Sequence, residues 1–239
     1  MTTSKTSSST AQTTDWPPGY RIDAAAPSLS ADLVAAFRGI PVAIAGDCLG
    51  RITGAVGLRA YHDDHAAVLC GTAFTVRVRP GDNLMIHKAL LMARAGDVIV
   101  IDGSGDLTQA LIGGLMRTTA MARGIAGFVV DGAIRDVAEW ADGALPVYAR
   151  GHTHRGPSKD GPGEINMAIS CGGMIVRPGD LVLGDADGVI AIHPDELAAL
   201  LPKAQAQMAR EGDTRQANTN SAQGSERFDA ILRAKGLPV

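Results

Sequence analysis

Apolar positions in this chain fall into short runs with two different periods. Val98-Ile-Val-Ile101 and Ile125-Ala-Gly-Phe-Val-Val130 are brief, rich in β-branched residues and bounded by glycine or aspartate. Such runs predict strands buried on both faces. Val42 to Ala45 and Pro146 to Ala149 are further strand candidates, and Ala67 to Val78 predicts strands broken at Gly71-Thr72. Leu181-Val-Leu183 and Val189-Ile-Ala-Ile192 flank Asp185-Ala-Asp-Gly188, whose Asp-Gly pair predicts a hairpin.

Helical spacing appears elsewhere. Ser30 to Phe37 reads as a short helix capped by Ser30. Over Asn83 to Ala95, the residues Leu84, Ile86, His87, Leu90 and Leu91 recur near helical spacing until Gly96-Asp97 stops them. A longer helix is predicted from about Leu107 to Arg123, with Gly124 as its stop. Val137 to Ala141, residues 195–210 and Phe228 to Ala234 complete the helices, while Glu211 to Gln223 reads as polar and loose. Pro80-Gly-Asp82, Ala95-Gly-Asp97 and Pro178-Gly-Asp180 repeat one local turn, but no period of solenoid length carries the rest along. The pattern predicts an α/β domain mixing crossover helices with antiparallel hairpins. Residues 1–20 lack periodicity and predict a disordered arm. The domain is expected over 28–205, and 206–239 as a C-terminal tail carrying a short helix.

Composition narrows the function classes. Aromatics make up only 4% of the 239 residues against 46% hydrophobic, so Ala, Val, Ile, Leu and Met must build the core. Net charge is −3 with Lys and Arg scattered, which argues against a nucleic-acid surface. No run approaches the ~20 apolar residues of a membrane span, and the N-terminal stretch has no apolar signal region. Cys48, Cys70 and Cys171 have no metal or disulfide spacing, so reduced thiols and a cytoplasmic location are expected.

The richest chemistry lies in Asp131-Gly-Ala-Ile-Arg135-Asp136-Val-Ala-Glu139-Trp140. Arg135 offers a planar fork to a carboxylate or polarised ketone, and Asp136 is a hard oxygen ligand of the kind Mg²⁺ or Mn²⁺ accepts. The plainer alternative makes Asp136 a helix N-cap with Glu139 at capping-box spacing and Arg135 in a surface ion pair. His152-Thr-His154 reads as surface or structural rather than as ligands. Asp82 and Asn83 read as a helix cap, although Asn83 and His87 lie one turn apart and could share a cleft. Cys171 reads as a buried thiol, and no Walker or dinucleotide glycine motif occurs.

In order, Gly71-Thr-Ala-Phe-Thr-Val76, Pro80-Gly-Asp-Asn83, Gly96 to Gly103 and Arg123-Gly-Ile-Ala-Gly127 are followed by Asp131 to Asp136, Gly161 to Asn166 and Gly184 to Gly188. This series resembles the RraA-like family from roughly Ala35 to His193. The family includes the regulator of ribonuclease E activity and the 4-hydroxy-4-methyl-2-oxoglutarate/4-carboxy-4-hydroxy-2-oxoadipate aldolases, which also decarboxylate oxaloacetate. The sharpest likeness is Gly114, twenty intervening residues, Arg135-Asp136, two more, then Glu139.

The resemblance implies a β/β/α sandwich, assembled as a homotrimer or a pair of trimers with sites between subunits. It also implies a lyase of aromatic-compound catabolism acting on small 2-oxo acids. Gly113, Gly114, Leu115 and Met116 would present helix-start amides to the substrate carboxylate, against the helix predicted to begin near Leu107. Arg135 would face the ketone or enolate oxygen, and Asp136 would hold Mg²⁺ (or Mn²⁺). In the described aldolases the position matching Gly114 is acidic. Here Glu139 or Asp106 would have to substitute. Lys159, Asp160 and Glu164, in the stretch Arg155 to Asn166, are candidates to line or gate the site. The alternative is a non-enzymatic regulator that binds a ribonuclease E-like partner.

Overall fold

The four strands at the centre of the molecule alternate apolar residues toward two covered faces, which is why they read as uninterrupted hydrophobic runs. A computed structural model describes residues 16–64, 66–219 and 226–238. The first half contains β1 (Tyr20–Ile22), α1 (Ala31–Arg38), α2 (Val42–Cys48), β2 (Arg59–Ala60), β3 (Leu69–Val78) and α3 (Leu84–Met92). Then come β4 (Asp97–Asp102), β5 (Ala110–Ile112), α4 (Gly114–Ala122), β6 (Gly127–Ile134), α5 (Val137–Trp140) and β7 (Val147–His152). The chain continues through β8 (Gly163–Ile165), β9 (Ile169–Cys171), β10 (Met174–Val176), β11 (Leu181–Asp185) and β12 (Gly188–Ile192). It ends in α6 (Pro194–Thr219) and α7 (Glu226–Ala234).

β3, β4, β6 and β7 lie side by side in parallel. Ile99 and Ile101 of β4 point to the face covered by α3, α4 and α5, among Ile86, Met116 and Trp140. Val98 and Val100 point the other way, into strands β9 to β12. A further apolar cluster seats α1, α2 and α6 on the β11–β12 hairpin. The result is one mixed α/β domain with strands on one face of the central sheet and helices on the other, the layer order the sequence led us to expect. Among the described residues no helix is long and apolar enough to cross a membrane.

Several expected elements formed as expected. Ser30 caps α1 by accepting from the Leu33 N–H, and β11 pairs with β12 across the Asp-Gly turn. Two of the three repeated turns share one device: Asp97 accepts the Arg94 N–H and Asp180 the Arg177 N–H, each at 2.8 Å. Burial pushes both carboxyls above the usual range, against those hydrogen bonds. The third turn differs, because Asp82 accepts forward from the Leu84 N–H.

Other elements differ for tertiary reasons. Val42 to Ala45 is helical, with the Val42 N–H held by Asp185 from the distant hairpin at 2.8 Å. β3 runs unbroken through Gly71-Thr72, where glycine serves a close backbone approach instead of a turn. The helix expected from Leu107 splits, because Ala110–Ile112 pairs beside β6 as β5 and helix begins only at Gly114. β6 continues past Val130 to Ile134 between β5 and β7. The stretch expected to be loose from Glu211 is helical to Thr219, with Glu211 bonded to Gln207 and Arg215 one turn away on either side. Tyr20 already pairs with Gly163, so the expected arm is shorter at its end, and residues 1–15 lie outside the described part.

A β-carbon at Gly71 would fall on the Gly96 carbonyl oxygen, whereas one at Gly46, inside α2, would meet nothing within 4 Å. Gly71→Ala should therefore destabilise the protein by about 1–3 kcal/mol through overpacking. Gly46→Ala should stabilise it by up to ~1 kcal/mol through lost unfolded-state entropy and better helix propensity. Urea unfolding of the two variants checks both signs.

Candidate active site

Arg135 sits just past the end of β6, and its own peptide is fixed at both polar atoms. Its N–H donates to the Ile112 carbonyl of β5 at 3.0 Å. Its carbonyl accepts from Trp140 Nε1 at 2.9 Å. Trp140 is fully buried and packs edge-on against Phe128, with ring centroids 5.8 Å apart. The indole thus anchors the arginine backbone to the core, leaving a guanidinium side chain that is 40% exposed.

Asp136 follows in the left-handed region, at φ 56° and ψ 43°. Aspartate tolerates that region better than most residues, and strained backbone of this kind gathers at functional sites. The plainer expectation, a side-chain cap on its own helix, is not met: Asp136 makes no such bond to α5. The turn sends the carboxylate across to α4 instead, where Oδ2 accepts the Gly114 N–H at 2.9 Å. The same oxygen lies 3.5 Å from Arg135 Nε. Exposed pairs of this kind contribute at most ~1 kcal/mol, so the contact fixes geometry more than stability.

Gly113 and Gly114 leave room for these side chains. A β-carbon at Gly113 would stand 2.5 Å from Asp136 Oδ2 and 2.9 Å from Arg135 Cγ. One at Gly114 would fall among the carboxylate atoms of Glu139. Glu139 therefore fills the space a side chain at position 114 would need. Asp106, the other candidate substitute, is occupied by the N–H and hydroxyl of Thr108.

The helix-start amides are divided up. Gly114 N–H goes to Asp136, and the Met116 N–H goes to the Gly113 carbonyl at 3.0 Å. Leu115 N–H takes no acceptor among the described residues. Gly114 and Met116 are thus corrected as free amide donors, since their hydrogens are already used.

Beside this step a cavity of about 120 Å³ opens between α3, β5, α4 and the loop after β7. Asn83, His87, Met116, Arg135 and Lys159 are among its lining residues. Asn83 Nδ2 donates to the Leu111 carbonyl at 2.9 Å, while its buried Oδ1 has no partner. Burial, and then the nearby Lys159 charge, lower the His87 pKa. The Lys159 loop is pinned by Asp82, which is completely buried and accepts from Ser158 Oγ and the Asp160 N–H, each at 2.7 Å. Burial alone would raise the Asp82 carboxyl, but hydrogen bonds from Ser158, Asp160, Leu84 and Gly161 together hold it below its ordinary value. Of the three residues flagged in that stretch, Lys159 lines the cavity. Glu164 pairs instead with Arg77 at 2.9 Å, and the Asp160 side chain points largely to solvent.

Among the described residues no group of three His, Cys, Asp or Glu side chains forms a metal cage. His152 is engaged with the Tyr61 hydroxyl at 3.2 Å, as the structural reading of His152-Thr-His154 requires. Cys171 is a buried free thiol whose pKa burial raises. The carboxylates of Asp136 and Glu139 at the Gly113-Gly114 step suit a different metal. Mg²⁺ is commonly held by one or two protein carboxylates while keeping several waters. The donor set fits such an ion.

Sequence reasoning missed Trp140 and the Asp82–Ser158 link. The indole five residues after Arg135 was a visible signal, whereas nothing local marks Ser158. The family model described as RraA-like, Aldolase/RraA, matches residues 33–191. A Halalkalibacterium halodurans protein, provisionally named a 4-hydroxy-4-methyl-2-oxoglutarate aldolase, is 43% identical over 74% of this chain and 84% of its own. A Thermus thermophilus 4-hydroxy-4-methyl-2-oxoglutarate aldolase is 36% identical over 53% of this chain and 76% of its own. The structure of the RNA-processing inhibitor RraA from Thermus superposes with a TM-score of 0.58 at 29% identity, covering 64% of this chain and 92% of that one.

Because folding holds the Asp82 carboxyl below its ordinary value, its stabilisation is present above that ordinary value and is lost as pH falls through the folded one. Asp82→Asn should cost about 1–3 kcal/mol at neutral pH. The gap to the parent protein should narrow in urea titrations below the ordinary carboxylate range. Amide exchange at Ser158 and Asp160 should accelerate in the variant.

Proposed function

We propose that this chain, which belongs to the RraA-like family, is a divalent-metal-dependent lyase. It releases pyruvate from a 4-hydroxy-2-oxo acid and decarboxylates oxaloacetate through the same enolate. The observation that carries this reading is the clamped Arg135 beside Asp136 at the start of α4. The names of the two aldolase relatives support the substrate class.

The substrate carboxylate lies at the α4 N-terminus, drawn by the Leu115 N–H and the helix dipole. Its C2 ketone oxygen faces Arg135. When the C3–C4 bond breaks, the 4-hydroxyl gives up its proton and becomes a carbonyl. The electron pair of the broken bond moves to C2–C3, leaving an enolate whose oxygen bears the charge. The guanidinium stabilises that charge more than it stabilises the ketone, which is where rate is gained. Protonation at C3 completes pyruvate. Asp136 and Glu139 are the residues that would hold Mg²⁺ or Mn²⁺, and the ion would supply further positive charge to the enolate. Glu139 also takes the proton-handling role that an acid at position 114 would otherwise have. Leu115 is 83% exposed on the cavity rim, which supports a site closed by a neighbouring subunit in a trimer or hexamer.

A second reading, a non-enzymatic regulator of a ribonuclease E-like partner, draws on the likeness to the Thermus RraA structure. It predicts no turnover.

Coupling to lactate dehydrogenase distinguishes the two. Pyruvate should form from oxaloacetate with Mg²⁺ and fall to background with EDTA, and absence of both signals would exclude the lyase. Arg135→Ala should lower kcat/KM by roughly 10²-fold or more. Gly114→Ala should lower kcat with little change in Tm, because only the mobile end of Glu139 has to move. In a Glu139→Gln background the same change should add almost nothing, the signature of a shared function.

A further inference from the structure

The loop that brings Lys159 to the cavity is held on both flanks, and one of its holders lies outside the family match. The Ser158 N–H donates to the Gly81 carbonyl at 2.9 Å, and the Ser158 carbonyl accepts from the Asn83 N–H at 3.0 Å. The Asp160 N–H donates to Asp82 Oδ2 at 2.7 Å. The Asp160 carbonyl accepts from the Tyr20 hydroxyl. Lys159 therefore stands between two fixed peptides. Gly81, Asp82 and Asn83 supply three of these bonds. Tyr20 supplies the fourth from β1, ahead of the residues 33–191 that the family model matches.

Tyr20 reaches that carbonyl because the segment around β1 is built onto the outer side of the loop. β1 pairs in parallel with β8, Tyr20 opposite Gly163 and Ile22 opposite Ile165. The attachment continues past the strand. The Asp23 N–H donates to the Ile165 carbonyl and Asn166 Nδ2 donates to the Asp23 carbonyl, each at 3.1 Å. Tyr20 and Ile22 also pack against the core cluster that contains Met85 and Ile165. The fit is close from both sides: a β-carbon at Gly19 would stand 2.9 Å from Pro162, and one at Gly161 would fall on the Tyr20 ring. With Asp82 alone, the Asp160 peptide would be pinned at one atom and free to pivot about it. The Tyr20 hydroxyl pins the other.

What the clamp presents is a charge. Lys159 makes no ion pair among the described residues, and it lines the cavity together with Arg135. An anion entering there meets two cations, and fixing the backbone beforehand lowers the ordering cost of using the second. We propose that Tyr20 is a positioning residue of the candidate site, whose hydroxyl completes the clamp on Asp160 and so presets the Lys159 ammonium for a small anion bound beside Arg135. Tyr20 acts through Lys159 and touches no ligand itself. The inference rests on the part of the lyase reading that puts a small acid in this cavity, and not on turnover.

Oxalate, a small dianion, is the probe, titrated calorimetrically into the full chain with Mg²⁺ present. Lys159→Met should weaken its binding by up to about five-fold, the range of an exposed charge pair. Tyr20→Phe keeps the ring and removes only the hydroxyl. It should weaken oxalate by roughly two- to three-fold, a part of the Lys159 effect. Its Tm should stay close to that of the parent, and amide exchange at Asp160 should accelerate. In a Lys159→Met background Tyr20→Phe should add almost nothing to Kd, because both changes act on one charge. A purely structural role would instead add in full. An unchanged Kd in Tyr20→Phe, full additivity in the double variant, or no oxalate binding by the parent overturns the assignment. Oxalate binding with this coupling, but no pyruvate from oxaloacetate, removes the lyase reading and leaves the inference standing. Pyruvate formation without the coupling removes only the inference.

Discussion

One hydrogen bond organises the site: the Gly114 N–H at the start of α4 donated to the carboxylate of Asp136. Opposite charge and the free amides of a helix start attract each other, so the contact needs no further help once the two are adjacent. Bringing them together, however, commands most of the neighbourhood. β6 runs on to Ile134 beside β5, Asp136 turns into the left-handed region, and glycines at 113 and 114 leave the side chains of Arg135, Asp136 and Glu139 their space. Arg135 inherits its place from the same arrangement, with its N–H on β5 and its carbonyl on Trp140. The placement of Arg135 beside Asp136 is therefore a consequence of sheet extension and of one buried indole.

The same crowding explains the unusual glycine at 114. A side chain there would meet the carboxylate of Glu139, which would have to swing aside to make room. Asp82 plays the parallel part on the other wall, where one buried carboxylate gathers the loop that carries Lys159.

Elements whose cause is local could be read directly. The alternation in β4 and β6, the Ser30 cap and the Asp-Gly hairpin each depend on residues within a few positions of one another. Elements with distant causes could not. Val42 to Cys48 is helical with its first amide met by Asp185, 143 residues away. Ala110–Ile112 leaves a helical pattern because β6 offers it backbone partners. Gly71 looked like a break and is a clearance. The candidate site divides in the same way: Arg135, Asp136 and Glu139 stand together in one short stretch and the two glycines entered through the family resemblance, but Trp140 as anchor and Ser158 as tether have tertiary causes.

The sequence by itself determined which residues are apolar on which period, and so the two-faced strands of the sheet. It also determined that a guanidinium and a carboxylate stand where a central strand ends. Tertiary structure decided where α4 begins, which amide Asp136 takes and which cavity Arg135 shares with Asn83, His87 and Lys159. Those outcomes depend on strand register and on partners far apart in the chain, and a hydrogen bond spanning 22 positions has no periodicity to announce it.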